Sequence, residues 1–100
     1  MEKVLRLMRD KKIDFKYKDG RTETMEYSSL VAHTTCDQNE FYILMVDNHK
    51  FFLMLNNGVF VQSGINDQMS GGIKHTKEGI WIEYNDSSKR LMNWEGEWIN

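Results

Sequence analysis

From Phe41 to Leu55 the chain reads as two runs, Phe41 to Val46 and Phe51 to Leu55, that are apolar at every position. Asp47-Asn48-His49-Lys50 separates them as a turn. A strand turns alternate side chains to opposite faces, so these runs load both faces of one hairpin. With Asn48-His49 at the turn, Tyr42, Leu44, Val46, Phe51, Leu53 and Leu55 share one face. Phe41, Ile43, Met45, Phe52 and Met54 share the other. A hairpin in an open antiparallel sheet ordinarily keeps one wet face. Something must therefore cover the second face: an N-terminal helix, another sheet layer or a second copy of the chain.

The rest of the chain is punctuated in the same way. Val4, Leu5, Leu7 and Met8 have near-helical spacing, which fits a short helix over 2–9, with a first strand as the rival reading. From Lys12 the period becomes two, and Asp19-Gly20 marks a hairpin. A three-residue loop, Lys18-Asp19-Gly20, places Ile13 opposite Met25, Phe15 opposite Glu23 and Lys12 opposite Glu26. It gathers Ile13, Phe15, Tyr17, Met25 and Tyr27 on one face, and burial of one face fixes register. Leu30 to Thr35 is a further strand, Cys36 to Asn39 a turn, and Asn56-Asn57-Gly58 a tight turn into Val59-Phe60-Val61. Residues 62–72, rich in Gly, Ser and Gln, read as a loop. Ile80 to Tyr84 and Leu91 to Trp94 form a last hairpin, and Glu95-Gly96 turns into Trp98-Ile99.

The fold class expected is mostly β: an antiparallel meander of eight to ten short strands. It would close into a small barrel or a two-layer sandwich, with or without the short N-terminal helix. Residues 1–100 have the length of a single domain. No internal repeat stands out, and the signatures of lipocalin-like, oligonucleotide-binding and cold-shock folds are absent.

Net charge is −2, but residues 1–21 hold eight Lys/Arg against four Asp/Glu, and residues 22–100 hold five against eleven. The basic excess is small and interspersed with acids, which argues against nucleic acid as partner. No apolar stretch approaches the roughly 20 residues that span a bilayer, and the opening residues lack a secretory signal. The expected location is cytoplasmic, with no membrane partner. One cysteine, Cys36, excludes an internal disulfide and any multi-cysteine metal site.

No constellation carries chemistry. His33 and Cys36, with Asp37 beside them, lack the further ligands of a metal site and the third orienting group of a nucleophile pair. On a strand they also point to opposite faces. His49 sits at a hairpin tip, and His75 falls on inner-face parity. Ser70-Gly71-Gly72 lacks the Lys-Ser/Thr ending of a phosphate loop.

The tryptophans stand out instead. If Asn85 to Ser88 is a four-residue loop, Glu83 faces Arg90, Trp81 faces Met92, and Trp94 lies on the same side. Trp81, Met92 and Trp94, with Trp98, then form a partly exposed patch beside a charge pair. That is the composition of an interface hot spot. The expectation is a non-enzymatic protein-interaction or accessory module with binding residues Trp81, Met92, Trp94 and Trp98. No cofactor or metal is expected. The partner is another protein or a second copy, giving a homodimer. The alternative is a β-barrel for a small hydrophobic ligand, with 62–72 as its lid.

Overall fold

The computed structural model describes residues 11–16 and 19–100. Nine antiparallel strands follow in order: β1 (Lys12–Lys16), β2 (Thr22–Glu26), β3 (Ser29–Cys36), β4 (Asn39–Val46), β5 (His49–Asn56), β6 (Val59–Ile65), β7 (Met69–Thr76), β8 (Gly79–Tyr84) and β9 (Lys89–Asn93). They form three sheets, β1-β2, β3-β4-β5-β6 and β7-β8-β9. Among the described residues every strand pairs only with a chain neighbour, so the meander is present, interrupted between β2 and β3 and between β6 and β7. Among the described residues no closed barrel is found, and three sheets replace the expected barrel or two layers. The helix expected over 2–9 lies outside the described residues, and among the described residues there is no helix.

The turns recur every ten residues, at 37–38, 47–48, 57–58, 67–68 and 77–78. The residues there suit the geometry. Asp47 and Asn48 have φ of 51° and 69°, and Asn57 and Gly58 have 56° and 78°. Two consecutive positive φ values define the hairpin turn that matches strand twist, and Asp, Asn and Gly adopt them most readily. This is why the central turn centres on Asp47-Asn48 rather than on Asn48-His49. Val46 therefore pairs with His49, Leu44 with Phe51 and Tyr42 with Leu53. The pairing moves by two residues, which leaves every side chain on the face expected for it.

Both faces of that hairpin are buried by the chain itself. Tyr42, Leu44, Leu53 and Leu55 pack with Phe60, with Ile13 of β1 and with Tyr27, which follows β2. Met25 of β2 lies against the same cluster. The opposite face, Phe41, Ile43, Phe52 and Met54, packs with Met69, Ile80, Ile82, Met92 and Trp94 of the C-terminal sheet. The four-stranded sheet is thus the middle of three layers. A second copy is not needed to cover it. The β1-β2 register is the expected one, with Ile13 opposite Met25, Phe15 opposite Glu23 and Lys12 opposite Glu26. Gly20 has a φ of 91° in the loop that sets it.

Residues 62–72 are not a loop. They complete β6, turn at 67–68 and begin β7. Their glycines serve strand packing: a Cβ at Gly64 would lie 3.3 Å from the Phe52 ring. The β7-β8 register shifts between Met69 and Ile73, where Gly71 has a φ of 95°, so a bulge replaces the expected lid.

Candidate functional site

The site begins with the turn between β8 and β9. Tyr84 N–H donates to the Ser88 carbonyl at 2.9 Å, and Ser87 N–H donates back to the Tyr84 carbonyl at 2.9 Å. The loop inside that pair is therefore Asn85-Asp86-Ser87, with Ser87 at a φ of 70°. The Asp86 carboxylate accepts from Ser88 N–H at 2.9 Å and Ser88 Oγ at 2.5 Å. These bonds hold its carboxyl below the usual range, the Ser88 hydroxyl most of all. Three loop residues in place of four slide β9 by one position. A one-residue slip moves every side chain of a strand to the other face.

The expected tryptophan patch is divided as a result. Met92 pairs with Ile80, and Leu91 with Trp81. Met92 is fully buried, and Trp94 is 4% exposed. The Trp94 indole N–H donates to the Thr76 carbonyl at 3.1 Å, which satisfies its one polar group inside the core. Trp98 bridges to Met92 and packs against the same core, with the Arg90 guanidinium 4.1 Å above its ring. The partly exposed surface expected of Met92 and Trp94 is therefore not there. Trp81 alone of the four keeps the outward position, and it is half-buried.

Around Trp81 lies an open groove of about 590 Å³, lined by Gly72, Ile73, Lys74, Trp81, Glu83 and Lys89. The β ladder explains the set. Lys74 of β7 is the cross-strand partner of Trp81, and Lys89 of β9 is the partner of Glu83. Glu83 lies two residues from Trp81 and so on the same face of β8. At Gly72 the Glu83 side chain folds over the strand, its Oε1 2.8 Å from where a Cβ would stand. Among the described residues, Lys74, Glu83 and Lys89 have no ion pair, and the Trp81 indole N–H has no acceptor. An aromatic face, two ammonium groups and one carboxylate thus share one groove with their bonding capacity unspent.

No family model, no curated protein and no solved structure matches this chain.

The histidines lie elsewhere. His33 stacks on Tyr42 with ring centroids 4.3 Å apart, and Tyr42 donates to Glu40 Oε2 at 3.0 Å. Burial pushes the His33 imidazole below its ordinary value and the Tyr42 phenol above its own. Cys36 packs against the opposite cluster, so His33 and Cys36 do lie on different faces of β3. His75 pairs with the buried Ile80 but stays exposed on its edge strand. His49 is exposed but bonded, its Nδ1 lying 2.9 Å from Asp67 Oδ2. The 47–48 and 67–68 turns are tied there, a contact between residues 18 apart that no local pattern in the sequence announces.

The groove was only half legible in the sequence. Trp81 was picked out by its outward parity on β8, which does not depend on β9. Gly72, Lys74 and Lys89 were missed. Gly71-Gly72 beside an aromatic strand is a signal of close approach, yet its composition reads first as loop.

Proposed function

We propose that this chain is a non-enzymatic interaction module whose contact surface is the outer face of the β7-β8-β9 sheet, centred on Trp81. One observation carries this reading. Trp81 is a half-buried tryptophan outside both core clusters, in a groove bordered by unpaired charges. Tryptophan is enriched among interface anchors, because its area is large and few rotamers are lost on binding. The alternative of a carrier for a small hydrophobic ligand depended on the lumen of a closed barrel. The two clusters fill the spaces between the sheets with side chains, which favours surface contact over an enclosed ligand.

Site-specific photocrosslinking in the native host tests the proposal. A benzophenone side chain at position 74 or 89 is expected to give a discrete adduct with another polypeptide, and the same group at position 57 is not. Equal adducts at all three positions, or none at 74 and 89, would remove the reading.

A further inference from the structure

The chemistry of the groove specifies what kind of polypeptide it takes, given that the face around Trp81 is the contact surface. Lys74 and Lys89 stand on the two strands that flank β8. They belong to different rows of the ladder, one level with Trp81 and the other level with Glu83. Two strand spacings across and two residues along put their backbones roughly 12 Å apart. Trp81 lies between them, and the Glu83 carboxylate lies over Gly72, its Oε1 2.8 Å from where a Cβ would stand. The carboxylate of Glu83 is an acceptor with no partner among the described residues.

An extended segment advances about 3.3 Å per residue and turns every second side chain to the same face. Side chains at its first, third and fifth positions therefore share one face and span roughly 13 Å. That is close to the separation of the two lysine backbones, and the flexible lysine stems can take up the difference. We propose that the groove binds an extended acidic segment of the pattern acid–x–aromatic–x–acid. Its central ring packs against Trp81, its two carboxylates reach Lys74 and Lys89, and its backbone N–H groups donate to Glu83.

Charge complementarity decides between this occupant and a nucleic acid. The groove has two cations against one anion, enough for two carboxylates. A single strand would bring a phosphate at every nucleotide, would need several stacking rings in series, and would set a phosphate against Glu83.

The test is a titration of the full chain followed by the backbone and indole N–H resonances. The probes are a capped pentapeptide with Asp at positions one and five, Phe at three and Thr between, the same peptide with Lys for Asp, and a short oligodeoxythymidine. The acidic peptide is expected to move the Trp81 indole and the Gly72 and Lys74 amides saturably, and to leave the Trp94 indole in place. Lys74→Ala and Lys89→Ala, both at exposed positions, should each weaken binding about two- to fivefold, as exposed charge pairs do. Raising salt should weaken it further. An equal response to the basic peptide, or a stronger one to the oligonucleotide, would overturn the assignment. Crosslinks at 74 and 89 without any response to the acidic peptide would overturn it too, while leaving the interaction reading intact. Absence of both would remove both.

Discussion

Asp67 shows how a single residue can tie this meander together. Its Oδ2 meets His49 Nδ1, and its Oδ1 accepts the Lys50 backbone N–H at 3.1 Å. Lys50 Nζ donates in turn to the Met69 carbonyl. The His49 bond, then the Lys50 N–H, holds the Asp67 carboxyl below its ordinary value of 3.8. A carboxyl depressed in the folded state contributes stability above its unfolded value and loses it as pH falls through the folded one. The clasp is thus intact at neutral pH and gives way only under pH 3.8, as pH falls through the lowered folded value. Carboxyl carbon shifts followed against pH should place the Asp67 midpoint under 3.8, and His49→Ala should raise it. A midpoint at or above the ordinary value would show that the clasp does not form. Contacts of this kind were not legible in the sequence, because nothing local marks two solvated turns as neighbours.

At the level of elements, short turns decided how far the sequence could be read. Asp19-Gly20 fixed the β1-β2 register, because only one loop length put all the apolar residues on one face. The central hairpin kept its faces even though its pairing moved by two, since an even shift preserves parity. The β8-β9 turn moved by one, and Met92 and Trp94 passed from the outward patch into the core. Asn85-Asp86-Ser87-Ser88 offers several polar residues able to cap a turn, so loop length there depended on which hydroxyl met Asp86. The β1-β2 hairpin makes its own prediction. A two-stranded ribbon is marginal alone, so its stability must come from the layer beneath it. Ile13, 9% exposed, belongs to the first core cluster. Ile13→Ala should cost about 2–4 kcal/mol in denaturant unfolding, as truncation of a buried aliphatic side chain does. A loss below about 0.5 kcal/mol, the range of a surface change, would mean that the hairpin does not pack as described.

For the whole molecule, the three-layer arrangement answers the demand set by the central hairpin. A strand pair apolar on both faces belongs in the middle of a stack, and the chain supplies both covers itself. The strand content, the antiparallel meander and the need for a second cover were all legible, because they follow from period and turn spacing. The number of sheets was not legible, since it depends on where hydrogen bonding breaks, after β2 and after β6. Nor could the sequence say which cover takes which face. The C-terminal sheet spends one face on the core and keeps the other for the groove, and this leaves Trp81 as the tryptophan that faces outward.

Hydrogen exchange of the three indole N–H groups tests that division most directly. The Trp94 N–H, bonded to Thr76 inside the core, should exchange about a hundredfold or more slowly than that of Trp81, as groups released only by core opening do. Trp81, facing the groove without an acceptor among the described residues, should exchange fastest. Rapid exchange at Trp94 together with protection at Trp81 would contradict the β8-β9 register and the site built on it.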